Sequence, residues 1–231
     1  MASSVRPYIL LGLCLLQHIA GGHVIQSHRS QTQPIGRQRI SLNDNWRFWR
    51  SEDNPDNLIY DNRTDTPQQG ATVLKPYILP SANEFIADPS QHHEAPGGNP
   101  WANVSYVKNA FDDSAWESIT LPHDWAIKGP FYEGDDVPVT GGMGRLPIQG
   151  VGWYRRKISL APQDKGKTVY LDIDGAMSYA MVWLNGNLVG GWPYGYNSFR
   201  LELTPFLKIG DDNQLAIRLV GNTKMSSLNS H

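Results

Sequence analysis

The chain has 231 residues, 40% hydrophobic and 18% charged, with a formal net charge of −2. That length holds one large β domain or two small ones, and the apolar fraction supports a real core and excludes wholesale disorder. Neither sign of charge forms a long run, which argues against nucleic acid as a partner.

Residues 1–22 read as a secretory leader. Arg6 and the α-amino group give a weakly positive start, and Tyr8-Ile-Leu-Leu-Gly-Leu-Cys-Leu-Leu16 forms an apolar core. That run falls well short of the roughly 20 apolar residues a membrane span needs, and Ala20-Gly21-Gly22 supplies small residues for cleavage. The expectation is a secreted, extracellular protein with no membrane attachment once the leader is removed. Cys14 is the only cysteine, so the mature chain is expected to carry no disulfide. Two acceptor sequons, Asn62-Arg63-Thr64 and Asn103-Val104-Ser105, agree with export and predict glycosylation at Asn62 and Asn103.

Residues 23–39 are polar and unpatterned, and read as a flexible N-terminal arm. The globular part spans 40–221. Trp46 and Phe48 alternate with Arg47 and Trp49 as a first strand. An irregular insertion follows at about 51–109, punctuated by Pro55, Pro67, Pro76, Pro80, Pro89, Pro96 and Pro100. Within it, Thr72–Leu79 reads as an edge strand because of Pro76, and Ala82–Ala87 as a helical turn. A loop of this length is either functional or an elaboration packed on the surface. His92-His93-Glu94 lacks a third and fourth ligand nearby, so no metal site is expected.

From Phe111 the pattern becomes regular. Trp116, Ile119 and Leu121 are apolar anchors, and 126–150 is a glycine- and proline-rich arm. Strands then follow at Val151–Leu160, at Val169, Leu171 and Ile173, and at Ala180, Val182 and Leu184. Asn185-Gly186 suits a two-residue hairpin turn, since both residues tolerate φ > 0. An aromatic arm, Trp192–Tyr196, leads to a strand with Phe199, Leu201 and Leu203. Thr204-Pro205 fits a helix N-cap followed by proline, and Leu215, Ile217 and Leu219 mark a last strand. Strands at this spacing without amphipathic helices predict an all-β antiparallel β-sandwich.

Candidate chemistry is sparse. There is no phosphate-cradling loop and no Gly-x-Ser-x-Gly elbow. His123 and Asp124, as neighbours in an extended segment, point to opposite faces and cannot form a relay. Two readings stay open for this stretch. In one, His123 and Asp124 bond to backbone groups while Trp125 fills the core; in the other, His123, Asp124 and Trp125 border a sugar site as substrate-binding residues. Asp112-Asp113, Asp135-Asp136, Asp172/Asp174 and Asp211-Asp212 read as solvated turn acids rather than the paired carboxyls of glycoside hydrolysis. Most of the eight Trp and ten Tyr are expected to be packing, with a minority available to stack on sugar rings.

Phe111-Asp-Asp-Ser-Ala-Trp, Leu121-Pro-His-Asp-Trp125, Gly150-Val-Gly-Trp-Tyr-Arg-Arg and Tyr170–Phe199 resemble the N-terminal sugar-binding domain of glycoside hydrolase family 2, in particular secreted fungal β-galactosidase-like members. The resemblance runs from about Ser41 to Val220. It implies a jelly-roll (galactose-binding-like) sandwich, a carbohydrate partner of the β-galactoside type, and no cofactor. In the family this domain precedes an immunoglobulin-like sandwich and a barrel that carries two catalytic glutamates. Those glutamates have no counterpart here, so no catalytic residue is assigned. Residues 222–231 depart from the family pattern of a closing turn and strand, and the chain is read as a truncated member, inactive alone. The alternative is a freestanding lectin-like carbohydrate-binding module using Trp192, Tyr194 and Tyr196, although the aromatic arm reads as packing before ligand. A third expectation, an open sheet edge that aggregates, follows from a missing closing strand.

Overall fold

Strands account for most of the regular structure, because apolar residues at every second position bury one face of each. The computed structural model describes residues 8–11, 37–62, 70–129, 131, 133–134 and 150–221. Among these lie twelve strands: β1 (Tyr8–Leu11), β2 (Gln38–Ile40), β3 (Trp46–Ser51), β4 (Leu58–Ile59), β5 (Thr72–Val73), β6 (Glu117–Ile119), β7 (Val151–Ser159), β8 (Thr168–Ile173), β9 (Ala180–Leu184), β10 (Asn187–Trp192), β11 (Phe199–Glu202) and β12 (Asp212–Val220). A six-stranded sheet has the order β10-β9-β12-β7-β3-β6, with every neighbouring pair antiparallel. A four-stranded sheet has the order β11-β8-β1-β2. There β11 runs antiparallel to β8, and β1, from within the apolar run near the N-terminus, runs parallel to both neighbours.

The inner core lies between these sheets. Trp46 and Phe48 of β3, Tyr154 and Ile158 of β7, Val182 and Leu184 of β9, and Leu215 and Ile217 of β12 meet Val169, Leu171, Leu201 and Leu203. The turn between β9 and β10 is as expected: Asn185 and Gly186 have φ of 53° and 81°. Asn185 also donates to Asn213 Oδ1 at 2.7 Å and to the Phe206 carbonyl at 2.9 Å, tying the hairpin to the turn before β12.

The insertion lies against the opposite face of the six-stranded sheet and builds a second core. Val151, Trp153, Met181, Trp183 and Ala216 from the sheet meet Leu58, Tyr60, Leu74, Ile78, Trp101, Val104, Val107 and Trp116. The central strands are therefore buried on both sides, and β9 is buried along its whole length. Local structure inside the insertion differs from expectation. Thr72–Val73 alone is strand, paired parallel to β4, and the helical turn α1 (Lys75–Ile78) follows with Pro76 near its start. There proline's missing N–H costs nothing, because early helical N–H groups have no partner within the helix. A 3₁₀ segment, Leu79–Phe85, replaces the turn expected at Ala82–Ala87. Likewise, Thr204 does not cap a helix: its hydroxyl accepts the Val169 amide at 2.9 Å and ties the 3₁₀ turn Thr204–Phe206 to β8.

Two arginines clamp the insertion to the sheet. Arg218 of β12 and Asp56 form an ion pair at 2.9 Å, with both side chains only 1% exposed. Arg218 also donates to Asn54 Oδ1 and the Leu58 carbonyl, both at 2.8 Å. Asp56 further accepts the Trp153 indole N–H at 2.8 Å. Arg155 of β7, fully buried, pairs with Asp113 at 2.7 Å and donates to the carbonyls of Tyr106, Lys108 and Phe111. Asp113 and Asp172 are thus not solvated turn acids. The first holds a buried guanidinium, and the second pairs with Arg200 at 2.7 Å across the β8–β11 ladder. Asp112 keeps its turn role, accepting the Ser114 amide, and Asp135-Asp136 lies outside the described residues.

Removing Asp56 would strand a buried positive charge. Asp56→Ala is expected to cost about 3–5 kcal/mol, read as a fall in the urea midpoint. Asp61→Ala, which removes a partly exposed pair with Lys75, is expected to cost under about 1 kcal/mol.

Candidate functional site

A groove of about 330 Å³ opens at the β6 edge of the six-stranded sheet, lined by Phe48, Trp49, Arg50, Ala115, Trp116, Glu117, His123, Trp125 and Lys128. Its position follows from strand length. β6 pairs with β3 only from Trp46↔Ile119 to Phe48↔Glu117, so β3 continues beyond the edge. Phe48 and Trp49 project to opposite sheet faces, and the groove draws on both. On one side Phe48 stacks on Trp125 (ring centroids 5.6 Å apart, 17° between planes) and meets His123 at 4.6 Å. On the other, Trp49 stacks on Trp116 at 5.9 Å. Glu117 and Lys128 form an exposed ion pair at 2.9 Å.

Two of the three residues singled out from the sequence line this groove, and the third does not. Trp125 lies flat against the start of β7: a Cβ on Gly152 would sit 2.2 Å from its ring. Only glycine permits that approach, which gives Gly150-Val-Gly-Trp a physical reason. His123 Nδ1 lies 3.0 Å from the Tyr154 hydroxyl, a side-chain partner and not the backbone group expected. Its Nε2 is buried and has no partner among the described residues. Asp124 turns away, where its carboxylate accepts the Ala126 amide at 2.8 Å and shapes the following turn. Trp49, Trp116, Glu117 and Tyr154 were not legible as site residues. Strand alternation placed Tyr154 on the inner face, but nothing linked it to His123, 31 residues earlier.

Burial holds the His123 imidazole below its ordinary pKa. Glu117 and Asp124 oppose that shift and Lys128 adds to it. Burial, aided by Asp124 and Glu117, raises the Tyr154 phenol, which stays protonated. The lining thus offers aromatic faces, an imidazole, the Arg50 guanidinium and the Glu117–Lys128 ion pair. Among the described residues it contains a single carboxylate, Glu117, whereas glycoside hydrolysis uses two.

A second concavity of about 580 Å³ lies in the insertion layer, bordered by Asn54, Asp56, Asn57, Asn103, Tyr106 and Phe111 among others. Its acid is committed: Asp56 is engaged by Arg218, Trp153 and the Leu58 amide. Asn103 and Asn62, the two sequon asparagines, are both exposed. His92 Nε2 lies 3.0 Å from the Ile86 carbonyl oxygen. Among the described residues no group of three or more His, Cys, Asp or Glu is placed to hold a metal ion, and no helix is long and apolar enough to cross a membrane. Of the arm at 126–150, the described residues are 126–129, 131, 133–134 and 150.

The class defined by these features is a mostly antiparallel β-sandwich with an aromatic-lined groove at one sheet edge. No protein-family model matches the chain. Glycoside hydrolase family 2 homologues, β-galactosidases and β-glucuronidases, cover about half of it. A β-galactosidase of Bacteroides ovatus, BoGH2A, is 45% identical over 109 residues, 47% of this chain and 12% of its own length. A protein described as a putative β-glucuronidase of Formosa agariphila is 39% identical over 114 residues, 49% of this chain and 11% of its own. A β-galactosidase of Vibrio cholerae is 25% identical over 221 residues, 93% of this chain and 17% of its own. All three are bacterial, and the matches span only about a tenth to a sixth of their lengths. A solved β-glucuronidase from glycoside hydrolase family 2 superimposes with a TM-score of 0.50 at 21% identity, covering 78% of this chain and 14% of that one. That likeness is one of fold.

Two measurements test the site. The folded pKa of His123 lies below the unfolded value of about 6.5, so the neutral ring favours folding. Its contribution is complete above about pH 6.5 and is lost as pH falls from there towards the folded value. The urea midpoint is expected to drop on acidification through that window, and His123→Gln to flatten the drop. Separately, Gly152→Ala is expected to displace Trp125 and lower stability by about 1–3 kcal/mol, with a shift in tryptophan emission.

Proposed function

We propose that this chain is the N-terminal sugar-binding domain of a retaining β-glycosidase of glycoside hydrolase family 2, acting on β-galactosides, with a jelly-roll connection of its strands. The observation that carries this reading is the groove lined from one sheet face by Trp125 and Phe48 and from the other by Trp49 and Trp116. The partly exposed rings of Trp49 and Trp125 take the C–H surface of a pyranose, while Glu117 and Lys128 serve its hydroxyls. The 45% identity to a β-galactosidase supports the choice of galactoside. In this reading the chemistry lies outside the chain: one carboxyl group must protonate the leaving oxygen while a second attacks the anomeric carbon, and among the described residues the groove holds one. A fungal-type origin and glycosylation at Asn62 and Asn103 belong to the same reading, as does export through the 1–22 leader, whose removal would take β1 out of the four-stranded sheet.

Tryptophan fluorescence of the purified chain, titrated with methyl β-galactoside, is expected to saturate with a dissociation constant of about 1 mM, near −4 kcal/mol. Trp125→Ala is expected to abolish the change. A chromogenic β-galactoside is expected to remain uncleaved, and turnover that survives purification would overturn the assignment of chemistry elsewhere.

A further inference from the structure

Trp192 of the aromatic arm packs on Phe199 as expected, but the two tyrosines after it do not pack. Tyr194 and Tyr196 are 55% and 73% exposed, and Met177 beside them is 51% exposed. Large aromatic side chains left in water forgo their burial energy, so a pair held there calls for an occupant. The two rings have centroids 5.6 Å apart and planes tilted by 55°.

The arm is held firmly from behind. The Tyr179 amide donates to the Pro193 carbonyl at 3.0 Å, joining the arm to the corner between β8 and β9. Gly195 lies directly on Met177: a Cβ there would come within 2.7 Å of Met177 Cβ and 2.8 Å of its Cα. Trp192 stacks on Phe199 at 6.4 Å where the arm leaves and re-enters the sheets. The tyrosines therefore project from fixed backbone, which lowers the ordering cost of a partner. Pairing of Phe199 with Ile173 brings Asp174 beside the arm's return, and Asp174, 49% exposed, faces Arg39 at 3.9 Å.

We propose that Tyr194 and Tyr196 form a second carbohydrate-binding platform, separate from the Trp125 groove, that stacks units of a β-linked oligosaccharide. Exposed ring faces suit the C–H faces of pyranoses, and the two phenol oxygens serve their hydroxyls. The choice of a sugar occupant rests on the function proposed above; the geometry of the platform does not.

The test is calorimetric titration of the full chain with β-1,4-linked tetrasaccharides of galactose, mannose or glucose, beside methyl β-galactoside. Tyr194→Ala/Tyr196→Ala is expected to weaken binding of the preferred tetrasaccharide about tenfold. Tyr194→Phe/Tyr196→Phe, which keeps the faces, is expected to stay within about twofold. Gly195→Val, which keeps both tyrosines but lifts the arm from Met177, is expected to weaken binding as the alanine pair does. Loss of tetrasaccharide binding in the tyrosine pair, with methyl β-galactoside binding unchanged in Trp125→Ala, would retain the platform and remove the groove. Loss in Trp125→Ala with the tyrosine pair unaffected would overturn the platform and retain the groove. Absence of binding to every sugar would overturn both. A dimer in size exclusion that only the tyrosine pair dissolves would make the patch a protein interface and overturn the proposal.

Discussion

Two guanidinium groups on adjacent strands, Arg155 and Arg218, set the constraint on which the outer half of the molecule depends. A charge buried on a sheet face must be paired and hydrogen-bonded, or it costs several kcal/mol. Here the partners come from the insertion: Asp56, Asn54 and the Leu58 carbonyl for one arginine, Asp113 and three carbonyls for the other. The insertion cannot lift away without stranding a charge. That converts an irregular, proline-punctuated segment into a fixed third layer with its own core.

The groove is a consequence of that layering. A sheet covered on one face offers aromatic residues on one side only. This sheet is covered on both, so where short β6 stops, β3 contributes Phe48 to one wall and Trp49 to the other. Gly152 lets Trp125 lie against the backbone, and Tyr154 positions the His123 ring beside it.

Nearly every element with strict two-residue alternation was legible in the sequence, including β3, β7, β8, β9, β11 and β12, as was the Asn185-Gly186 turn. These are local rules: side-chain alternation and φ > 0 tolerance act between neighbours. The segment 72–85 misled because Pro76 argues equally against a central strand and for the first turn of a helix, and only packing on β10 and the outer core decides between them. Of the groove lining, His123 and Trp125 were legible from a motif, while Asp124 turns away from it, because sequence adjacency carries no information about which way a loop side chain turns.

By itself, then, the sequence determined the strands, their turn and the sandwich class, since each follows from contacts a few residues apart. Tertiary structure decided what the irregular stretches are for. Asp56 and Arg218 stand 162 residues apart, and no local pattern marks either as the other's partner. The exposure of Tyr194 and Tyr196 is of the same kind. Whether an aromatic arm is buried or presented depends on what the rest of the chain places over it, and here the fold places nothing there among the described residues and braces the arm from beneath.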